Sequence, residues 1–83
     1  MKVWARLIIN GKNVKDTIID DSRKLTFNNY EIMLREVADK LDIPSPVSMK
    51  IHYNHLIKFN NHRFKSEDFV ESFDYDRLEI ELF

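Results

Sequence analysis

From Asn28 to Leu41 the chain reads NNYEIMLREVADKL, and this stretch decides how the rest is read. Tyr30, Met33, Leu34, Val37, Ala38 and Leu41 recur at i, i+3, i+4, i+7, i+8 and i+11, which is the stripe of a helix with one buried face. Glu31, Arg35, Glu36, Asp39 and Lys40 fill the opposite face, and the pairs Glu31–Arg35 and Glu36–Lys40 place an acid four residues before a base. Asn28 with Glu31 reads as a capping box, and Phe27 with Ile32 as a hydrophobic staple. Pro44 holds Ile43 out of helical geometry, so the helix is expected to end near Leu41 or Asp42. So short a helix does not hold itself together in water and needs a sheet to lie on.

Upstream, Val3, Ala5, Leu7 and Ile9 alternate with Lys2, Trp4, Arg6 and Ile8. Asn10-Gly11 follows, and both residues tolerate the positive φ of a type I′ hairpin turn. Asn13–Asp20 returns as the second strand. A two-residue loop sets Leu7 opposite Val14 and Val3 opposite Ile18; a four-residue loop sets Ile9 opposite Val14 and Ala5 opposite Ile18. Either register leaves Asp16 on the apolar face, so an edge or a bulge is expected there. Trp4 and Ile8 point to the other face, where the central segment is expected to cover them.

Downstream, the segment 46–60 admits two readings. As strands it runs through Met49, Ile51 and Tyr53, turns at Asn54-His55, and returns through Ile57 and Phe59. As a helix it takes Ser45 as N-cap and Pro46 as first residue, with Met49, Tyr53, Leu56 and Phe59 along one face; the specific Ser-Pro start favours the helix. Arg63–Lys65 reads as a short extended piece, and Ser66-Glu67-Asp68 opens a helical turn carrying Phe69, Val70 and Phe73. Asp76–Phe83 closes the chain as a strand with Leu78, Ile80 and Leu82 inward. The expected fold is a single α+β domain over residues 1–83: an N-terminal hairpin, one main amphipathic helix, an irregular or second-helix middle, and a C-terminal strand in a small mixed sheet.

Eighty-three residues, 43% hydrophobic and 33% charged, describe an ordinary globule with one core. Gly11 is the only glycine, which excludes glycine-rich phosphate loops, and the absence of cysteine excludes disulfides and thiolate metal sites. Met1–Asn10 does not read as an export signal, so a cytoplasmic location is expected. The net charge is −1, unevenly distributed. Residues 1–42 carry eight bases and seven acids, residues 43–66 four bases and no acid, and residues 67–83 seven acids and Arg77 alone. Internal neutralisation is the favoured expectation, with Lys50, Lys58, Arg63 and Lys65 lying near Glu67, Asp74, Glu79 or Glu81; an exposed basic patch is the alternative.

Hairpin, helix, irregular middle and final apolar strand is an order that resembles the β-grasp fold of ubiquitin-like domains. Asn10-Gly11, Ile43-Pro44 and Arg77-Leu78-Glu79-Ile80-Glu81-Leu82 carry the likeness. No Gly-Gly pair follows Leu82, so the resemblance implies no conjugation or sulfur-carrier chemistry. Trp4-Ala5-Arg6-Leu7-Ile8 and Phe73-Asp74-Tyr75-Asp76-Arg77-Leu78-Glu79-Ile80-Glu81 resemble short clostridial proteins of unknown function, which implies no activity.

Three groups of residues carry side chains capable of chemistry or binding. His52 and His55 share a helix face and His62 follows, but an evident further ligand is lacking, so no metal is expected. Lys50, Lys58, Arg63 and Lys65 interleave with Tyr53, Phe59 and Phe64, a composition suited to phosphates and stacked bases. The hydroxyls and carboxylates form no recognised catalytic arrangement. The expected role is protein interaction, with Lys50, Lys58, Arg63, Lys65 and Trp4 as the candidate surface, another protein as partner and no cofactor. A nucleic-acid binder using residues 50–65 is the second reading and a metal-dependent enzyme the third.

Overall fold

The computed structural model describes all residues from Met1 to Phe83. Two strands, β1 (Lys2–Ile9) and β2 (Lys12–Asp20), precede the helix α1 (Phe27–Leu41). A second helix α2 (Lys50–Phe59), a short strand β3 (Asn61–Phe64), a 3-10 turn at Ser66–Asp68 and the strand β4 (Arg77–Leu82) complete the chain. The sheet has the order β2-β1-β4-β3. The α+β architecture is the one expected, but the sheet is not mixed: all three pairings are antiparallel.

The core stripe of α1 is the one in the sequence, with Tyr30, Met33, Leu34, Val37, Ala38 and Leu41 all buried. Leu34, Val37 and Leu41 share one cluster with Leu7 and Ile80, none of them more than 1% exposed. The helix ends differ from expectation. Thr26, extended at φ −121°, is the N-cap, and its Oγ1 accepts from the Asn29 amide at 3.1 Å; the Asn28 capping box does not form. Phe27 is turned into an aromatic cluster with Tyr30 and Tyr53 instead of stapling to Ile32. Glu36 pairs with Arg23 at 2.8 Å, not with Lys40. At the far end Asp42 adopts φ 55°, and the Ile43 amide reaches back to the Ala38 carbonyl at 3.0 Å, closing the last turn before Pro44.

The hairpin turns through Asn10 (φ 51°) and Gly11 (φ 75°), so Ile9 faces Lys12. One step later a bulge leaves Val14 unpaired: Ile8 faces Asn13, but Leu7 faces Lys15 and Val3 faces Ile19. Neither expected register survives. The extra residue rotates the rest of β2 by one position, burying Ile19 and leaving Val14 and Ile18 each 50% exposed. The same rotation takes Asp16 off the apolar face, where its carboxylate accepts from the Trp4 indole at 2.8 Å. Lys15 instead reaches the Leu41 carbonyl at 2.9 Å, a cation at the negative end of α1.

The central segment is helical, as favoured, but begins at Lys50 rather than at Pro46. Pro46 is buried in the lead-in, and the Val47 amide donates to the Asp68 carbonyl at 2.7 Å, which ties residues 46–47 to the 3-10 turn. Met49 is extended and caps α2 without a side-chain bond. Leu56 alone is fully buried from α2, in the same core cluster as the α1 stripe. Both helices therefore cover one face of the sheet, and Trp4, on the opposite face, is not under the central segment. Beyond the 3-10 turn, Phe69 and Phe73 stack at 4.0 Å and are buried.

Candidate functional site: the outer face of α2 and the histidine cluster beneath it

A ten-residue helix with only one buried side chain presents most of its surface outward. In α2 and its lead-in, Val47, Met49, Ile51, Ile57 and Phe59 are exposed, and Ile51 reaches 67%. They are five of the nine large apolar side chains that the fold leaves exposed, gathered within residues 47–59. Lys50 and Lys58 are interspersed among them, and the Lys58 ammonium sits 5.3 Å from the centre of the Phe59 ring.

The expected internal neutralisation does not occur. Lys50, Lys58, Arg63 and Lys65 are exposed, and none lies in an ion pair. The register shows why for Arg63: it stands opposite Glu79, but that carboxylate is taken by Arg77 at 2.7 Å and Arg6 at 3.6 Å. Arg6 also reaches Glu81 at 3.5 Å. The acids of β4 are thus neutralised by β1 and by their own strand. Glu67, Glu71 and Asp74 likewise remain exposed and outside any ion pair.

The five candidate residues do not form one surface. Lys50 and Lys58 belong to α2, and Lys65 follows β3. Trp4 lies on the open sheet face, half-buried, with the Arg6 guanidinium 4.1 Å above its ring and Asp16 on its indole nitrogen. Arg63 shares that open face by its register with Glu79. The exposed apolar residues around the lysines were the part that sequence reasoning missed, because the same side chains also fit a buried helix stripe.

Beneath α2 the three histidines meet. The His62 ring, from β3, lies 4.7 Å from His52 and 5.1 Å from His55, with Phe64 at 4.7 Å. His55 Nδ1 bonds the Asn61 carbonyl at 3.0 Å, and His52 Nε2 stands 3.8 Å from the Asp68 carboxylate. His62 Nε2 and His52 Nδ1 are buried without a hydrogen-bond partner. Burial pushes His62 down to about 4, and the neighbouring His52 and His55 add to the effect against the pull of Asp68. His62 is therefore neutral near pH 7. The rings are packed against one another rather than converged on a point, and no three His, Asp or Glu side chains are placed to hold a metal ion. A shallow cavity of about 420 Å³ opens beside the cluster, lined by His55, Phe59, Asn61, His62 and Arg63.

No helix is long and apolar enough to cross a membrane. Comparison of the chain with protein-family models, with curated proteins and with solved structures finds no match.

Proposed function

We propose that the protein is an interaction module without catalytic activity, which docks another protein on the outer face of α2. The observation that carries this is the concentration of exposed apolar side chains at Val47, Met49, Ile51, Ile57 and Phe59, interspersed with Lys50 and Lys58, which have no partner in their own chain. Burying such side chains contributes about 25 cal/mol per Å², so an apolar patch left in water is a ready source of binding energy. Unpaired lysines within it select partners that bring carboxylates alongside apolar groups.

The test is affinity capture with the native chain beside two variants. One carries Ile51→Asp with Ile57→Asp on α2; the other carries Ile18→Asp on the open sheet face. Proteins retained by the native chain and by the Ile18 variant, but lost by the α2 variant, are the expected result. Retention by the α2 variant with loss by the Ile18 variant would move the docking site to the open sheet.

One observation favours a second reading, nucleic-acid binding: the four bases at 50, 58, 63 and 65 are free of carboxylates. Against it, Phe64 is fully buried and Tyr53 packs on Phe27 and Tyr30. Phe59 is the one exposed ring of the three, too few for a run of stacked bases. A salt-dependent anisotropy change with labelled oligonucleotides, abolished by Lys58→Glu with Arg63→Glu, would make this the leading reading.

A further inference from the structure

We infer that the occupant of the α2 face is a second copy of this chain, which inserts the acidic knob around Val70. This rests on the docking reading above and names its partner. Val70 is 90% exposed, more than any other large apolar side chain of the fold. It is not on a loose tail. Phe69 before it and Phe73 after it are both buried, with their rings stacked at 4.0 Å, so the three-residue arc between them is pinned at both ends. Glu67, Glu71 and Asp74, exposed and outside any ion pair, lie within four residues of it in the chain. The knob has an apolar tip among acids; the α2 face has exposed apolar side chains among bases. Each surface holds what the other lacks.

A pinned arc does not fold back onto its own helix, so the match is made between molecules. The two surfaces also share a border, because the Val47 amide donates to the Asp68 carbonyl at 2.7 Å and joins the lead-in of α2 to the turn before the knob. Adjacent complementary patches fit a two-fold dimer, in which each copy gives its knob to the other and receives one in return. A standard interface takes roughly 800 Å² from each partner. That is about a sixth of the 5159 Å² surface of this chain.

Light scattering behind size exclusion, over a wide range of protein concentration at low and high salt, tests the inference. The expected mass rises toward twice that of the chain with concentration at low salt and falls back at high salt. Two charge-reversed variants sharpen the test: Lys50→Glu with Lys58→Glu, and Glu67→Lys with Glu71→Lys. Each alone should be monomeric, because both contacts of its homodimer set like charges together. An equimolar mixture should dimerise again, because both contacts in the mixed pair join opposite charges, and this recovery also shows that the variants are folded. A native chain that stays monomeric at all concentrations overturns the inference, as does a dimer that both variants still form. If the native chain is monomeric while the Ile51 and Ile57 substitutions still abolish capture of another protein, self-association falls and the docking reading stands.

Discussion

Replacing His62 by phenylalanine should remove much of the acid sensitivity of this fold. In the unfolded chain the imidazole titrates near 6.5, whereas under α2 it is held at about 4. Between those values the unfolded state binds a proton that the folded state refuses, so stability is full above about 6.5, falls as the pH drops, and levels off below about 4. Were the whole difference realised, the loss would be about 3.4 kcal/mol, at 1.36 kcal/mol for each pH unit. The ring is only half-buried at the sheet edge, and water screening brings the expected loss to about 1–2 kcal/mol. Even that is a large fraction of the roughly 5–15 kcal/mol that holds a domain together. The groups facing the ring are His52 and His55 from α2 and Asp68 from the 3-10 turn. These groups are present in both proteins, so the informative quantity is the difference between native and His62→Phe stability at each pH. Phenylalanine keeps the contacts with Phe64 and the two imidazoles and carries no proton. Urea denaturation at neutral pH and near pH 4.5 supplies that difference, and the proton resonances of the ring report its midpoint directly. An equal loss of stability on acidification in both proteins, or a His62 midpoint near 6.5, would refute the reasoning.

Leu34→Ala or Ile80→Ala should each cost roughly 2–4 kcal/mol, since both side chains lie at 1% exposure in the cluster that joins α1 to the sheet; unchanged denaturation midpoints would contradict that packing. Tyr30→Phe should be neutral or stabilising by up to about 1 kcal/mol, because the Tyr30 hydroxyl is buried without a partner; a loss of stability in thermal unfolding would reveal a bond to that oxygen. Asp42→Gly should raise the melting temperature through a gain of about 0.5–1 kcal/mol, as φ 55° strains a residue with a Cβ and not glycine; a lower melting temperature would show that the aspartate carboxylate acts there.

The local signals were legible where one physical cause dominates. The period of Tyr30, Met33, Leu34, Val37, Ala38 and Leu41 required a helix, and all six are buried. Asn10-Gly11 required a tight turn, because few other residues adopt two successive positive φ values, and the turn has two residues. The alternation of Leu78 and Ile80 with Arg77, Glu79 and Glu81 placed the last strand correctly. What the tertiary structure decided were the choices that local pattern leaves nearly equal in energy. A one-residue bulge at Val14 outweighed the apolar pairing of Val14 and Ile18, because it freed Asp16 from the core face and delivered Lys15 to the end of α1. The start of α2 moved from Pro46 to Lys50 because residues 46–47 are anchored to the 3-10 turn by a backbone bond some twenty residues distant in sequence. Arg63 remained free although it stands opposite Glu79, because Arg77 of the same strand and Arg6 of the neighbouring β1 hold that carboxylate, and the place of Arg6 beside it depends on strand order. Composition determined how much charge and apolar surface this chain carries; only the packing of two helices on one face of the sheet determined which of it stays in water.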